Sequence, residues 1–475
     1  MRIGLVGSVL LAGSLVLSAC GSRDDRAAQP GSGATAEQLH WSHAAARQLR
    51  KAIDRRAAHG LDRVAFDRDA HGDAALTEAA LAYAGALARG ASDPAKLYPI
   101  YTLPRPRPDL RRGLAEALKA GKVGDWLESL APQDDAYRAL SKAYLELRKQ
   151  GDAAPAIPVP GEPLKPGATD PRIPAIARQL VAFDYLARLA AKGERYTRAM
   201  AAAVRRMQAD YGIRPDGLIG PETLEVLNLS DADRARAIAV DMERLRWLER
   251  NPPPTRIDVN IASATLTYWR GGVIADARRV VVGEPDKATP QLGSPIFQLV
   301  ANPTWTVPKS IEENEIAGKG EDYLRRNDMI RKDGMIVQQS GPRNSLGLVK
   351  FDMRNTHAIY LHDTPAKALF GEVQRQRSHG CVRVDDALGF AELIARDEGV
   401  LDRWHKAQAS GVETFVPLPR EIPVRLLYRT VLFDANGEPV VRDDPYGWND
   451  RVATAIGFGA SSGRRVLTGA GDLGP

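Results

Sequence analysis

The spacing of apolar residues along the chain changes from a helical period to a strand period near residue 255. From about residue 39 to residue 148, Leu, Ala and Tyr recur every three or four positions between charges, which predicts amphipathic helices. A further amphipathic helix over residues 231–250 ends before three consecutive prolines at 252–254. Beyond them apolar and polar residues alternate, and Gly271-Gly272 predicts a hairpin turn. The pattern therefore indicates helical domains followed by a mainly-β domain.

Residues 196–228 predict two short helices joined by a tight turn. Met200, Val204, Met207 and Tyr211 form one apolar stripe at helical spacing, and Gly212 ends that helix. A Pro-Asp-Gly turn follows, and a Gly-Pro pair opens the second helix. Upstream, seven prolines between residues 155 and 174 indicate a linker or an extended segment.

Composition excludes several classes of protein. Apolar residues make up 44% and charged residues 26% of the 475 residues, and the net charge is +6. These values are those of an ordinary globular chain, so wholesale disorder and a polytopic membrane protein are excluded. The mild positive charge suits an anionic polymer, but no block of Lys and Arg indicates a nucleic-acid partner.

The chain has two cysteines, Cys20 and Cys381, so a disulfide framework is excluded. Arg2 precedes a largely apolar run of fifteen residues, 3–17, too short to span a bilayer comfortably, and small residues lead to Cys20. This segment resembles the lipobox of bacterial lipoproteins, with a plain secretory signal, or a buried helix with an incidental cysteine, as the alternatives. The resemblance implies lipidation of Cys20, a flexible tether over residues 21–38, and a periplasmic protein anchored to the outer membrane.

Three of the eight histidines lie within 25 residues of sequence that also contain Cys381. If residues 357–365 and 378–384 are strands, Tyr360 and His362 share one face of the first strand, opposite to His357. In the second strand, His379, Cys381 and Arg383 point away from the core. Thr364-Pro365 predicts a helix start, which places His362 at a strand end.

The chemistry open to this group depends on the thiol. A thiol of ordinary pKa is only a few per cent ionised at neutral pH, so it needs an imidazole nearby to become a nucleophile. It also needs backbone N–H groups for the oxyanion, and Gly380 permits close backbone approach beside the sulfur. Two alternatives stay open: a zinc site formed by His362, His379, Cys381 and water, and a purely structural buried cysteine.

The segment Ser378-His379-Gly380-Cys381-Val382-Arg383, with His362 seventeen positions before His379, resembles the signature of YkuD-type L,D-transpeptidases. Residues 279–290, 302–311, 340–351 and 359–370 resemble the large YcbB-like branch of that family, with Thr306 and Val382 as small departures. Residues 196–228 resemble a peptidoglycan-binding module, with Met207 in place of the usual Phe.

The resemblance implies roles for particular residues. Cys381 is the acylated nucleophile and His362 its general base. Asp363 orients the imidazole through its backbone carbonyl, and His379 and Gly380 shape the site, with the oxyanion hole at the N–H groups around Gly380 and Cys381. No metal or cofactor is implied. Substrate-binding candidates are Arg383, which would hold a stem carboxylate, together with Tyr360, Trp305, Arg343, Asn344 and, more weakly, Gln339.

The implied function is formation of 3→3 cross-links between peptidoglycan stem peptides, with loss of D-Ala and with trapping by carbapenems. A cysteine- or zinc-dependent peptidase and a non-catalytic wall-binding lipoprotein are the alternatives.

The fold class is multidomain α+β: helical scaffold, three-helix peptidoglycan-binding domain, and mainly-β catalytic sandwich with a capping insertion. The predicted segments are a signal peptide 1–20, tether 21–38, scaffold 39–152, Pro-rich linker 153–174, peptidoglycan-binding domain 175–230, connecting helix 231–254, catalytic domain 255–430 with the insertion at about 312–345, and C-terminal tail 431–475.

Overall fold

A computed structural model describes residues 39–149, 156–158, 161–434 and 436–459. The predicted lipobox, with Cys20, and the tether lie outside these residues. No helix in the described ranges has both the length and the apolar content needed to cross a membrane.

The scaffold is a bundle of short helices. Its helices begin at side-chain caps where the sequence provides them: Ser42, Asp109 and Asp134 each accept a hydrogen bond from a first-turn N–H. The helices are α1 (His43–Asp54), α2 (Asp73–Arg89), α3 (Pro94–Leu97), α4 (Leu110–Ala120), α5 (Val123–Leu130) and α6 (Asp135–Leu147).

The small module consists of α7 (Ile173–Ala182), α8 (Arg198–Tyr211) and α9 (Pro221–Leu227). As predicted, α8 ends at Gly212, whose φ of 74° favours glycine, and its apolar stripe is buried. The buried Gln208 holds the turn, because its Nε2 donates to the carbonyl of Leu218 and its Oε1 accepts from the N–H of Gly217.

The connecting helix α10 (Asp231–Trp247) differs from its prediction. It ends before residue 250, and instead of exposing a charged face it buries charges. Asp241 pairs with Arg429 at 2.6 Å, and Arg246 pairs with Glu243 at 2.6 Å while donating to the carbonyl of His59 at 2.7 Å. These partners offset the cost of burying the charges, so a sequence pattern typical of a surface helix forms a central one.

The β-rich region beyond residue 255 is built on a mixed sheet. Within the described residues nine strands pair in the order β10-β3-β11-β9-β8-β4-β12-β1-β2, and β3 also pairs with β2, so the sheet closes on itself. The predicted Gly271-Gly272 turn joins β2 to β3, with positive φ at both glycines. The strands are β1 (Arg256–Asn260), β2 (Thr265–Arg270), β3 (Val273–Gly283), β4 (Gly293–Ala301), β8 (Val349–Met353), β9 (Leu361–His362), β10 (Gln376–Ser378), β11 (Val382–Val384) and β12 (Thr414–Leu427).

One face of this sheet forms the apolar core. Val382, Val384 and Leu361 lie in it, as the alternation along their strands predicts. Phe390, from α13 (Ala387–Asp397), and Trp404, from α14 (Leu401–Ala409), complete the core. The other face of β11, β9 and β8 is left for the site.

The capping insertion begins earlier than predicted. Trp305 already belongs to it, because β5 (Trp305–Thr306) pairs with β7 (Met335–Gln338), which also pairs with β6 (Met329–Lys332). A small apolar cluster separate from the main core contains Trp305, Ile316 and Leu324. The insertion also contains α11 (Lys309–Ile311), a π-helical turn (Glu312–Ile316) and α12 (Gly320–Arg326).

The C-terminal tail was predicted from residue 431, but up to residue 459 the described residues are structured. They form a hairpin of β13 (Val431–Phe433) and β14 (Pro439–Val441), followed by α15 (Asn449–Ala455). This segment, here called the C-terminal segment (residues 431–459), packs against α10, since Arg244 donates to Asn449 and Arg236 pairs with Asp450. The fold of this segment depends on these distant partners, and no local sequence pattern predicts such contacts.

Candidate active site

The register of three neighbouring strands places the predicted residues on one face. His362 on β9 lies directly opposite Arg383 on β11 and Lys350 on β8, and directly opposed residues point to the same side of a sheet. Cys381 precedes Arg383 by two positions, as Tyr360 precedes His362. The predicted strand over residues 357–365 is reduced to the two residues of β9, and His357 is exposed and lies outside it.

Cys381 is a buried free thiol. Its Sγ–H donates to the carbonyl of Ala358 at 3.4 Å. Burial raises the pKa of the Cys381 thiol to about 11, although the N–H and phenol of Tyr360 and the charges of Lys350 and Arg383 oppose the rise. The resting group is therefore a neutral thiol that needs a base.

The imidazole of His362 is fixed by its neighbour in sequence. Its Nδ1 lies 2.5 Å from the backbone carbonyl of Asp363. A carbonyl only accepts hydrogen bonds, so Nδ1 carries the proton and the neutral ring has its lone pair on Nε2. His362 is fully buried and its ring lies 5.7 Å from that of Tyr360, edge to face. This tautomer is the one a general base requires.

The carboxylate of Asp363 has a separate structural task. Its Oδ2 accepts from the N–H of Leu348 at 2.9 Å, and its Oδ1 pairs with Lys367. Gly347 packs so closely that a Cβ there would lie 2.3 Å from Oδ2, and its φ is 63°. Thr364 Oγ1 accepts from the N–H of Ala366 at 3.2 Å, and β9 ends at His362 as predicted. The helix start predicted at Thr364-Pro365 lies later, because the 3-10 helix covers Lys367–Gly371 and its N-cap is Ala366, without a side-chain cap.

The segment that carries the thiol is held by hydrogen bonds on both sides. Ser378 Oγ donates to the carbonyl of Cys381 at 2.6 Å and accepts from the N–H of Gly380 at 3.1 Å. The carbonyl of Gly380 accepts from Thr289 Oγ1 at 2.8 Å. The φ of Gly380 is 121°, a conformation that favours glycine. Since Ser378 engages the amide of Gly380, the amide of Cys381 is the better candidate for an oxyanion donor.

His379 faces the capping insertion. Its Nε2 donates to the carboxylate of Glu315, which is on the π-helical turn, and its Nδ1 is buried without a protein partner in the described part of the chain. Lys287 reaches the same carboxylate at 3.4 Å and Glu284 at 3.1 Å. His379 therefore connects the insertion to the thiol segment.

The substrate-binding candidates fall into two groups. Tyr360 packs against the apolar cluster of the insertion beside Trp305, and burial raises the pKa of its phenol well above the usual value, so the phenol stays protonated. Arg383 is buried on the Cys381 face. By contrast, Arg343 is exposed and pairs with Asp328 at 2.7 Å, while Asn344 is buried and donates to the carbonyl of Gln339 at 2.9 Å. These contacts tie Arg343, Asn344 and Gln339 to the insertion's own loops.

Three polar residues on the Cys381 face were not predicted. Lys350 pairs with Asp352 at 2.5 Å, and its Nζ lies 4.5 Å from the centre of the Tyr360 ring. Gln298 donates to Asp352 at 2.8 Å from the neighbouring β4. The Lys-Phe-Asp alternation of β8 could have indicated Lys350 and Asp352. Only the strand pairing shows which residues these two and Gln298 face.

The arrangement differs from the zinc alternative. Across the described residues no three His, Cys, Asp or Glu side chains come together as a group that could hold a metal ion. His379 is directed to Glu315, whereas His362 is directed to the Asp363 carbonyl.

Comparison with protein families finds matches for three segments of the chain. Residues 254–414 match the family described as L,D-transpeptidase catalytic domain (YkuD). Residues 34–143 match the Scaffold domain family, and residues 169–227 match the "Putative peptidoglycan binding domain" family. In chain order, the matched segments therefore resemble a scaffold domain, a peptidoglycan-binding domain and a YkuD-type L,D-transpeptidase catalytic domain.

Individual relatives are similar over part of their length. A protein of Haemophilus influenzae described as "Putative L,D-transpeptidase" is 30% identical over 249 residues, or 47% of this chain. The chain spans about half the length of that curated relative, 50%. Among solved structures, the L,D-transpeptidase of Stackebrandtia nassauensis is 14% identical, with 58% of this chain and 98% of that chain covered, at a TM-score of 0.25. The E. faecium catalytic domain acylated by ertapenem is 13% identical, with 37% and 99% covered, at a TM-score of 0.21.

Proposed function

We propose that this protein is a peptidoglycan L,D-transpeptidase that joins peptide stems by 3→3 cross-links through a thioester on Cys381. The observation that supports the proposal most directly is the pairing of β9 and β11. In that pairing Arg383 lies opposite His362, Cys381 comes two positions before Arg383, and Nδ1 of the His362 imidazole is committed to the Asp363 carbonyl. A thiol and a base of fixed tautomer on one face are the minimum that acyl transfer to sulfur requires.

In the first half-reaction the neutral thiol loses its proton to Nε2 of His362 as sulfur attacks the carbonyl of the third stem residue. The resulting oxyanion lies where the amide of Cys381 can donate to it. The imidazolium then protonates the amine of the terminal D-Ala, the carbon–nitrogen bond breaks, and a thioester remains on Cys381.

In the second half-reaction the side-chain amine of the third residue of another stem attacks the thioester. His362 accepts the proton released by that amine and returns it to sulfur as the carbon–sulfur bond breaks. The product is an amide between two third residues, and the thiol is regenerated. No step requires an oxidant, a metal or a cofactor.

The capping insertion decides between transfer and hydrolysis in this proposal. It packs Tyr360 against its own apolar cluster and reaches the thiol segment through Glu315 and His379. A covered thioester is shielded from water, so a bound amine competes better than water does.

The remaining domains and the N-terminal segment fit a cell-wall enzyme. The peptidoglycan-binding domain would hold glycan near the catalytic domain, and lipidation at Cys20 would anchor the protein to the outer membrane, facing the periplasm. Both roles rest on sequence resemblance, and labelling with radioactive palmitate in cells producing the wild type or Cys20→Ala tests the anchor. Label on the wild type alone is expected, and equal label on both would contradict the anchor.

The activity is tested by incubating the purified protein with disaccharide tetrapeptide and identifying products by mass spectrometry. Cross-linked dimers should form together with free D-Ala, and both should be absent with Cys381→Ala. Because this substitution removes only the buried sulfur, an unchanged melting temperature would show that the fold is kept.

The other outcomes separate the alternatives. Tripeptide monomer without dimer would indicate a hydrolase, and loss of products on adding a chelator would indicate a metal enzyme. No product from the wild type, combined with binding to insoluble peptidoglycan, would indicate a wall-binding protein. A mass increase equal to ertapenem on the wild type but not on Cys381→Ala would support the thioester route independently.

A further inference from the structure

The C-terminal segment contacts the active-site loops through one tyrosine. Tyr446 is buried, and its hydroxyl donates to the carbonyl of Gly283 and accepts from the N–H of Thr289 at 3.3 Å. Gly283 is the last residue of β3, and Thr289 lies six positions later in the connection to β4. The hydroxyl of Tyr446 therefore bridges the two ends of the loop over residues 283–289.

That loop in turn holds the segment that carries the thiol. The N–H of Glu284 donates to the carbonyl of Ser378 at 2.9 Å, and Thr289 Oγ1 donates to the carbonyl of Gly380 at 2.8 Å. The same Oγ1 accepts from the N–H of Gly283 at 2.8 Å, so the hydroxyl of Thr289 has a fixed direction. Thr289 is fully buried.

The bond from Thr289 orients one particular peptide unit. In a planar peptide the C=O and N–H groups point in opposite directions, so fixing the carbonyl of Gly380 fixes the N–H of Cys381 on the opposite side. That N–H is the candidate oxyanion donor. Because the φ of Gly380 is 121° and this glycine has no Cβ to restrict it, the peptide unit depends on hydrogen bonds for its orientation.

We propose that Tyr446 is a positioning residue for acyl transfer, acting through Thr289 to aim the amide of Cys381 at the oxyanion. This inference rests on the proposed function and deepens it. It assigns a role in the site to the C-terminal segment, which lies outside residues 254–414 and to which no sequence pattern gave one.

Two reactions of the same sulfur test the proposal in the full-length chain. Acylation by ertapenem passes through an oxyanion, whereas alkylation by iodoacetamide displaces iodide and forms none. Tyr446→Phe and Thr289→Val should slow acylation by about tenfold or more, because misaimed donors are costly, while alkylation stays within about twofold of the wild type. Thr289→Ser, which keeps the hydroxyl, should restore acylation.

Tyr98→Phe is the matched control. Tyr98 belongs to the same aromatic cluster, with its ring 4.9 Å from that of Trp448, but its hydroxyl does not contact the loop over residues 283–289. It should leave both reactions near the wild-type rates. Acylation by Tyr446→Phe at the rate of Tyr98→Phe would overturn the proposal, as would parallel loss of acylation and alkylation. Absence of acylation in the wild type would instead reject the proposed function.

Discussion

Nε2 of His379 donates a hydrogen bond to the carboxylate of Glu315. Because His379 lies two positions before Cys381, this bond joins the capping insertion to the segment that carries the thiol. The bond is charge-assisted on the acceptor side and is largely withdrawn from solvent, since the imidazole is 8% exposed and the carboxylate 24%. It is the contact by which movement of the insertion would reach the thiol segment.

Glu315→Gln should shift the fate of the thioester toward water. The amide keeps the size of the side chain but weakens a bond worth about 1.5 kcal/mol, so the ratio of dimer to hydrolysed tripeptide should fall by about three- to tenfold. Mass spectrometry of both products measures the ratio. Glu313→Gln, on the same turn but exposed, is the control. An equal ratio in the two variants would show that this contact does not govern transfer.

The pH dependence of alkylation should reveal the buried thiol. Because burial raises the pKa of Cys381 to about 11, the iodoacetamide rate of the free enzyme should still be rising above pH 9. Lys350→Met should move the profile to higher pH, since the Lys350 charge lowers that pKa. Lys332→Met, exposed on β6, should not move it. A plateau below pH 9 in the wild type would contradict the assignment of a neutral resting thiol.

The same pKa predicts how folding stability depends on pH. A thiol that ionises less readily when folded binds more protons in the native state than in the unfolded chain between about pH 8.5 and pH 11. The contribution of the Cys381 thiol to the free energy of unfolding is therefore complete below pH 8.5 and is lost as the pH rises to about 11. Relative to Cys381→Ala, the wild type should lose denaturation free energy across this window, and parallel curves would refute the linkage.

Gly347→Ala should damage the support of His362. An alanine at the φ of 63° is strained by about 1 kcal/mol, and its Cβ would also collide with the carboxylate of Asp363, so a total cost of about 3 kcal/mol is expected. Gly399→Ala, at a φ of 69° with open space around it, measures the conformational cost alone. Chemical denaturation gives both values, and similar losses would mean that Asp363 moves away without cost.

Asp241→Asn should destabilise the packing around α10. Asp241 is fully buried and pairs with Arg429, which is 20% exposed, so a loss of about 2–3 kcal/mol is expected in chemical denaturation. Glu116→Gln makes the same chemical change at the exposed pair with Arg112 and should cost about 0.5 kcal/mol or less. If the two losses are equal, the buried pair adds nothing to stability.

Local signals in the sequence predicted the elements that short-range chemistry controls. Gly212 ends α8 because glycine adopts its positive φ without strain, and Gly271-Gly272 turns the chain between β2 and β3 for the same reason. The alternation along β11 correctly predicted that Val382 and Val384 face the apolar core, since successive side chains of a strand point to opposite faces.

Features that depend on distant partners were missed or misassigned. The charges of α10 looked exposed because Arg429 and His59 are remote in sequence. Trp305 was placed outside the insertion because its pairing with Gln338 is not visible in the linear pattern. Lys350 and Thr289 carry no motif, and only strand register and tertiary hydrogen bonds bring them to the site.

The position of the C-terminal segment has a consequence for how the chain reaches its native state. Thr289 meets Tyr446 across 157 residues, and Arg236 meets Asp450 across 214. Closing such long loops carries a large entropic cost before any contact forms, so folding that relies on them is slow. If domains fold one after another as the chain emerges, the sheet lacks the Thr289–Tyr446 contact until β14 and the residues after it have been synthesised.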